Sequence, residues 1–190
     1  MLKFITLLFF GTTATAFSFT ENYVVIRPSA YILELYTDQD VCICSYPIGL
    51  GENGLGKTRR GDRKTPIGTY HILWKATSCW EQYGGLPILE GSSYCGTDNS
   101  FSPNYRDYLD DGAIWGNDFG GSEIFFMCLN YPNESDLEKG FTGSGIGIHG
   151  TLNGGIGEFS SAGCIRMHPH DARNLYGQLS IGSLVYIESD

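Results

Sequence analysis

Two side chains in the last quarter of the chain have the types and spacing for nucleophilic chemistry. His149 opens the segment His-Gly-Thr, and Cys164 lies fifteen residues further on, in Ser-Ser-Ala-Gly-Cys-Ile-Arg-Met. A thiol becomes an effective nucleophile when a nearby imidazole stabilises its thiolate. Gly163 allows close approach of a substrate, and we expect its N–H and that of Cys164 to face a developing oxyanion. The residues alone also allow a plainer interpretation, a buried structural cysteine near a surface histidine.

The segments that must position these residues are predicted to be mostly strands. Runs rich in Val, Ile and Tyr, separated by turn residues, predict strands at 23–27, 30–37, 41–50, 68–74, 123–130, 146–149 and 184–188. Only 169–179 has the pattern of a full helix, with Pro169 in its first turn. The 26 glycines among 190 residues indicate many tight turns. We therefore expect one mainly β domain with one or two short helices.

Charge excludes some classes of function and marks two segments. The formal net charge is −9, so binding of nucleic acid through a basic surface is not expected. The charge is uneven, because five of the 12 Lys and Arg residues fall within 57–64, whereas 98–138 holds nine acidic residues and one arginine. These segments are either solvated surface or contacts for a substrate that carries both carboxylates and an ammonium group.

The N-terminus has the features of a secretory signal peptide. Lys3 precedes the apolar run 4–10, and small residues follow up to Ala16. The apolar run is too short to span a bilayer, which needs about 20 residues. We expect cleavage after Ala16, with Ser18 as the second choice. Residues 1–16 are then the signal peptide and 17–190 the mature domain, exported and without stable membrane insertion.

Export affects the interpretation of the six cysteines, because cysteines of exported proteins tend to pair. Cys79 and Cys95 lie in a loop-rich stretch and are the expected disulfide. Cys42 and Cys44 are two apart in a predicted strand, so we expect them to share one face and not to bond each other.

Two metal-site interpretations find little support in the sequence. His168 and His170 could join Cys42 and Cys44 around zinc, but their spacing matches no zinc motif. The segment 107–118 resembles a calcium-binding loop. However, Leu109 stands at a position where a ligand is expected, and the final glutamate of such loops is missing. We therefore expect no metal ion and no other cofactor.

Three segments, in order along the chain, resemble the L,D-transpeptidase catalytic-domain (YkuD-type) family. The first is Tyr-Pro-Ile-Gly at 46–49, and the second is Gly-Asp-Arg-Lys-Thr-Pro-Ile-Gly-Thr-Tyr at 61–70. The third combines His-Gly-Thr at 149–151 with Ser-Ala-Gly-Cys-Ile-Arg at 161–166. The resemblance covers nearly all of the mature chain. It implies a β-sandwich-like catalytic fold and a monomer that acts on peptidoglycan stem peptides, in the periplasm or at the cell wall.

Carried over by position, the resemblance implies catalytic roles for three residues. Cys164 corresponds to the nucleophile and His149 to the general base. Gly163, together with the N–H of Cys164, corresponds to the contacts that stabilise the oxyanion.

The resemblance also places three residues at the substrate: Arg166, Thr151 and Ser161. For Arg166 a structural salt bridge is an equal alternative. Ala162 departs from the family pattern, since many members have a second histidine there. This departure concerns the surroundings of the acyl acceptor and leaves the cysteine–histidine pair intact.

The implied function is that of an exported L,D-transpeptidase. It would form a Cys thioester with tetrapeptide stems and make 3→3 crosslinks or attach a partner to peptidoglycan. Three alternatives stay open. One is an L,D-carboxypeptidase or amidase that hydrolyses the same acyl-enzyme, another is a catalytically weakened peptidoglycan-binding module, and the third is an exported cysteine peptidase that acts on proteins.

Overall fold

The computed structural model describes residues 21–79, 88–91, 119–120 and 123–189. The predicted signal peptide, Cys95 and the calcium-like segment 107–118 lie outside these residues. The α-helices in the described residues are α1 (Glu134–Glu138) and α2 (Pro169–Gln178). The strands there are β1 (Tyr23–Arg27), β2 (Ile32–Tyr36), β3 (Cys42–Pro47), β4 (Leu50–Gly51), β5 (Gly68–Cys79), β6 (Ile88–Gly91), β7 (Glu123–Leu129), β8 (Gly147–Gly150), β9 (Phe159–Ser161), β10 (Ile165–Met167) and β11 (Leu184–Ile187).

One mixed sheet joins most of these strands, in the order β10-β8-β7-β5-β11-β1-β2-β3, with β6 also paired to β5. The pairs β1–β11 and β8–β10 are parallel. The long strand β5 joins two halves, because residues 68–71 pair with β11 and residues 72–79 pair with β7. β4 and β9 form a separate parallel pair. The strand of His149, β8, and the strand that follows Cys164, β10, therefore lie together at one end of the sheet.

The two halves of the sheet share one apolar core. Alternation along the strands of one half buries Val24, Ile26, Leu33 and Leu35. The same cluster contains buried residues of the other half: Met127, Leu129, Ile148, Ile165 and Met167. Since both halves contact one core, the fold is sandwich-like. The prediction of a mainly β domain with short helices is confirmed.

The predicted strand 41–50 is interrupted in the structure. β3 ends before Ile48, whose N–H donates to the carbonyl of Tyr31 at 2.9 Å. Gly49 then exchanges two hydrogen bonds of 2.9 Å with the backbone of Arg166. The chain thus leaves the main sheet here and crosses towards the Cys164 end of the molecule.

Helix α1 is not predicted from the sequence because it has only five residues. The sequence nevertheless contains a capping box at the start of this helix. The Asn133 side chain accepts the N–H of Asp136 at 3.0 Å, and the Asp136 carboxylate accepts the N–H of Asn133 at 3.2 Å. The buried Asp136 also accepts a hydrogen bond from the Tyr70 hydroxyl at 3.1 Å. Burial, and then the charge of Asp136, raise the pKa of Tyr70 well above its ordinary value.

A bulge in β3 corrects the expectation for Cys42 and Cys44. Cys44 lies opposite Leu35 and Cys42 opposite Tyr36, so Ile43 is an extra residue on β3. Leu35 and Tyr36 are neighbours on β2 and point to opposite faces, so the two cysteines do as well. Both cysteines are exposed. The expectation that they share one face is wrong, because the bulge shifts the register by one residue.

Helix α2 spans nearly the predicted residues and is fixed at both ends. Pro169 stands in its first turn, where a missing N–H costs no hydrogen bond. At its C-terminal end, Lys75 from β5 donates through Nζ to the carbonyls of Tyr176 at 2.9 Å and Leu179 at 2.8 Å. Carbonyls at the C-terminal end of a helix lie beyond its regular pattern of hydrogen bonds, so the lysine acts as a cap here.

Candidate active site

His149 is buried in β8 between β7 and β10, with 3% of its surface exposed. The rings of Phe119 and Phe126 pack against it, with centroids 4.6 and 5.7 Å from that of the imidazole. Its Nδ1 lies 2.8 Å from the carbonyl oxygen of Gly150. Because a carbonyl oxygen only accepts, Nδ1 carries the hydrogen, and in the neutral ring Nε2 is the basic nitrogen.

A close packing contact holds the carbonyl that orients His149. A Cβ at Gly150 would stand 2.9 Å from the Cα of Pro169, so a larger residue would push α2 away. Helix α2 therefore presses directly on the residue whose carbonyl receives the Nδ1 hydrogen of His149. This explains physically why glycine follows the histidine.

Cys164 is half-buried and lies at the turn between β9 and β10. Its Sγ donates to the carbonyl of Gly145 at 3.3 Å, just before β8. In the parallel pair of β8 and β10, Ile165 lies opposite Ile148, and the next residue of β10 lies opposite His149. The pairing therefore brings the turn of Cys164 alongside the strand of His149.

The Gly163 N–H and the Ser161 side chain, both expected at the substrate, form hydrogen bonds within the turn. Gly163 has a φ of +129°, and a Cβ there would stand 2.7 Å from the carbonyl oxygen of Lys64. Its N–H donates to Ser161 Oγ at 3.0 Å, and that hydroxyl donates to the Cys164 carbonyl at 2.6 Å. The Ser161 side chain is buried and shapes the turn, and its role at the substrate stays a prediction. An oxyanion would have to compete with it for the Gly163 N–H.

Arg166 and Thr151 lie beside the same strands and contact the protein's own backbone. Arg166 is half-buried, and its Nη1 donates to the carbonyl of Ser160 at 3.2 Å. Thr151 is 3% exposed, and its Oγ1 accepts the N–H of Asn153 at 3.1 Å. Ala162 is exposed within the turn that carries Cys164.

Thr65 supports the Cys164 turn, although the sequence indicates only an ordinary turn there. It is fully buried, and its Oγ1 donates to the carbonyl of Gly163 at 3.0 Å. The same oxygen accepts the N–H of Gly51 at 2.8 Å. Threonine followed by proline is common in turns, so the local sequence has no functional signal. The sequence links Thr65 with Cys164 and His149 only through the family resemblance of the segment 61–70.

A buried ion pair organises residues 57–64, here called the basic loop. Lys57 Nζ lies 2.7 Å from Asp62 Oδ1, and the two side chains are 4% and 7% exposed. Asp62 also accepts three backbone hydrogen bonds, from the N–H groups of Thr58, Arg59 and Lys64. Burial favours the neutral carboxyl, but these hydrogen bonds outweigh it and lower the pKa of Asp62 to about 2. The loop is thereby held in one conformation directly before Thr65.

The groups that meet at this end of the sheet are a half-buried thiol, an imidazole with an oriented tautomer and the N–H groups of a glycine turn. This set has the composition needed for acyl transfer through a thioester. Across the described residues, no three His, Cys, Asp or Glu side chains cluster in a way that could hold a metal ion. No helix in those same ranges is long and apolar enough to span a membrane.

Comparison with known proteins agrees with a site suited to acyl transfer. The sequence profile of the YkuD L,D-transpeptidase catalytic domain matches residues 21–187. No curated protein sequence matched the chain.

Solved structures share the fold at low sequence identity. The helical cell shape determining protein Pgp2 from Campylobacter jejuni is 20% identical, with a TM-score of 0.57 over 90% of this chain and 49% of that one. Bd1075 from Bdellovibrio bacteriovorus is 17% identical, with a TM-score of 0.55 over 88% of this chain and 48% of that one. The chain thus spans about half the length of these two proteins. Since the profile covers most of its residues, the chain belongs to the L,D-transpeptidase catalytic-domain family.

Proposed function

We propose that this protein is a cysteine-dependent L,D-transpeptidase that acts on the tetrapeptide stems of peptidoglycan, with Cys164 as its nucleophile. Membership of the family supports the class of activity and substrate. The observation that carries the proposal is the parallel pairing of β8 with β10. It sets the half-buried thiol beside the strand of His149, whose Nδ1 is engaged and whose Nε2 is left basic.

In the first step, His149 Nε2 accepts the thiol proton, and Cys164 Sγ attacks the carbonyl carbon at the L-centre of the diamino acid. A C–S bond forms, and the carbonyl oxygen takes up negative charge that the N–H of Cys164 stabilises. The Gly163 N–H is a second donor, whose bond to Ser161 must weaken as this charge develops. The C–N bond to the terminal D-alanine then breaks, and the imidazolium returns its proton to the leaving amine.

In the second step an acceptor attacks the carbonyl carbon of the thioester, and the C–S bond breaks. His149 accepts a proton from the acceptor and returns it to the Cys164 sulfur. An amine from another stem or partner gives a crosslink or an attachment, and we favour this outcome. Water would give a tripeptide, which is the alternative hydrolytic activity. Ala162 is small and exposed beside the nucleophile, so it leaves space through which either acceptor can enter.

We also propose that residues 1–16 direct export and that the mature domain works as a monomer in the periplasm or at the cell wall. Peptidoglycan lies outside the cytoplasmic membrane, so an enzyme that acts on it must be exported. The mass of the protein recovered from the cell envelope tests this proposal. A chain that begins at Phe17 supports it, and a chain that retains residues 1–16 contradicts it.

Incubation of the mature protein with tetrapeptide muropeptides, with products identified by mass, tests the proposed activity. A crosslinked dimer supports transfer, and a tripeptide supports hydrolysis. Binding without any product would favour the second candidate, a peptidoglycan-binding module, for which Ala162 is the motivating departure from the family. Cys164→Ala is the control, and it must abolish both products while the protein remains folded.

A further inference from the structure

The outer face of the sheet carries a cavity of about 600 Å³ that the proposed reaction does not use. Val25 of β1 lies opposite Tyr186 of β11, and Tyr186 lies opposite Thr69 of β5. All three residues line the cavity. The strand neighbours Val24 and Val185 are buried in the core, so the lining residues of β1 and β11 face away from it.

The cavity is separate from the candidate active site. In the sheet, β7 and β5 lie between β11 and β8, the strand of His149. None of the described residues that line the cavity belongs to β8 or to the turn of Cys164. The volume is in the range of sites that bind small molecules and side chains of peptides. A ligand in this cavity would therefore be bound in addition to the acyl donor.

Two tyrosine rings line the cavity at a right angle to each other. The ring centroids of Tyr23 and Tyr186 are 5.6 Å apart, and the ring planes form an angle of 87°. Tyr23 also stacks on Tyr36 of β2, with centroids 5.2 Å apart, which holds its ring in place. The faces of aromatic rings attract cations that come within about 6 Å of the ring centroid. The two rings are therefore suited to a cation with an apolar stem.

The negative charge at the cavity is concentrated on Asp40. Among the described residues that line the cavity, Asp40 and Glu188 are acidic and none is basic. Glu188 is paired with Arg27 at 2.8 Å, whereas Asp40 forms no ion pair within the described part of the chain. Asp40 Oδ1 accepts the Tyr23 hydroxyl at 2.7 Å, and this hydrogen bond raises the pKa of Tyr23 to about 12. Since a carboxylate has about four acceptor positions, Asp40 can accept further hydrogen bonds beside this ring.

The lining favours an organic ammonium group over a metal ion. Calcium and magnesium ions need about six oxygen ligands, and no group of three His, Cys, Asp or Glu in the described ranges could hold a metal ion. Val25 and Ile67 instead add apolar surface to the two rings. A primary ammonium group has three N–H donors, for which Asp40 and the Thr69 hydroxyl are acceptors. Its alkyl stem would contact the rings and Val25, as lysine stems do on apolar surfaces.

We propose that this cavity binds the primary ammonium group of a lysine-type peptide side chain, with Asp40 as its counter-ion and Tyr23 and Tyr186 against its alkyl stem. The net charge of −9 also attracts a cationic peptide to the protein. Lysine-containing peptides offer this group, and so do stem peptides whose diamino acid has a free side-chain amine. The site does not depend on the proposed reaction, so binding alone tests it.

Titration of the isotope-labelled protein with Nα-acetyl-lysine methylamide, followed by amide NMR signals, tests the site. We expect saturable shifts at Val25, Thr69 and Tyr186, with a Kd of about 1 mM for a ligand of this size. The Nε-acetylated form has no charge and should bind at least about tenfold more weakly, because a charge-assisted hydrogen bond is lost. Equal binding of the two compounds, or no saturable shift at these three amides, would overturn the proposal.

Asp40→Asn tests the counter-ion and should weaken binding about tenfold. Asp40 has a φ of 59°, which asparagine also adopts readily, and the amide oxygen can still accept the Tyr23 hydroxyl. Asp38→Asn is the matched control, because it removes the same charge from an exposed residue that does not line the cavity. It should bind as the wild type does. Equal weakening in the two variants would indicate general attraction to an acidic surface and would overturn the site.

Tyr186→Leu tests the aromatic part of the site. Leucine keeps an apolar side chain but removes one ring, so affinity should fall about threefold while the remaining amide spectrum shows a folded protein. Wild-type affinity in this folded variant would contradict the role of the ring.

A stem tripeptide with a free side-chain amine distinguishes the two sources of the ligand. If it shifts the same three amides at lower concentration than the lysine compound, the site takes stem peptides. If the two bind equally, the site takes lysine-type side chains in general. A tripeptide that shifts other amides but not these three would contradict the stem peptide as its ligand.

Discussion

At the scale of single residues, the turn of Cys164 is held from both sides by hydroxyl groups. Ser161 bridges the N–H of Gly163 and the carbonyl of Cys164 from within the turn. Thr65 binds the carbonyl of Gly163 from the neighbouring loop. Neither serves as a nucleophile or base in the proposed reaction, so their contribution is to fix the backbone that presents the thiol.

Thr65→Val should destabilise the protein. The substitution leaves the buried N–H of Gly51 and carbonyl of Gly163 without the partner they have now, at a cost of about 2 kcal/mol. Denaturant unfolding measures this difference. Thr65→Ser retains the hydroxyl and should stay much closer to the wild type, so equal losses in the two variants would contradict the assigned hydrogen bonds.

His149→Ala should slow acylation by about 10²–10⁴-fold, the usual effect of removing a positioned general base. It should also move the alkylation of Cys164 by a small reagent to higher pH, because the thiolate loses its partner. Single-turnover kinetics and the pH profile of alkylation measure the two effects. His168→Ala, an exposed histidine at the start of α2, is the control and should leave both unchanged. An unmoved alkylation profile in His149→Ala would show that His149 is not the base.

At the scale of elements, the sequence predicts what depends on local pattern and misses what depends on tertiary contact. The alternating residue pattern predicts β1 correctly. Pro169 and the apolar face that follows it predict α2. The break after β3 is not foreseen, because it depends on hydrogen bonds from Gly49 to the distant Arg166. The role of Thr65 is missed for the same reason, since its partner Gly163 is far away in sequence. The segments of His149 and Cys164 are singled out by their resemblance to the family, and the structure pairs the strands next to them, whereas their catalytic roles stay a prediction.

Gly150→Ala should weaken the contact between β8 and α2. Its Cβ would meet Pro169 Cα at 2.9 Å, and overpacking of this kind costs about 1–3 kcal/mol. Gly177→Ala is the matched control in α2, because its Cβ meets nothing within 4 Å. It should be neutral or stabilise by up to about 1 kcal/mol. Thermal unfolding of the two variants compares them, and equal stability would contradict the packing argument.

The basic loop should lose stability in acid. The pKa of Asp62 is lowered from 3.8 to about 2 in the folded protein, which corresponds to about 2 kcal/mol. Since the folded value is the lower one, this contribution is complete above pH 4 and is lost as the pH falls towards 2. Asp62→Asn should therefore be less stable than the wild type at pH 7, and the difference should shrink between pH 4 and 2. Asp38→Asn, at an exposed carboxyl outside the loop, should show no such convergence. A difference that is constant with pH would contradict the assigned ion pair.

At the scale of the whole molecule, one end of the sandwich gathers the elements proposed for catalysis. The pairing of β8 with β10 brings the turn of Cys164 alongside the strand of His149. Helix α2 presses on Gly150, and the basic loop and Thr65 contact the turn of the thiol. The fold is that of the L,D-transpeptidase catalytic domain, and the chain spans about half the length of the solved structures named above. We propose that this end of the molecule forms a thioester with its substrate.

Intact-protein mass spectrometry after rapid mixing with a synthetic stem tetrapeptide and acid quenching tests that claim most directly. We expect a mass increase equal to the tripeptide acyl group, located on the fragment that contains Cys164, with release of an equal amount of D-alanine. The Cys164→Ala protein, shown to be folded by circular dichroism, should gain no mass. Product formation by that variant, or an acyl group on any other residue, would show that Cys164 is not the nucleophile.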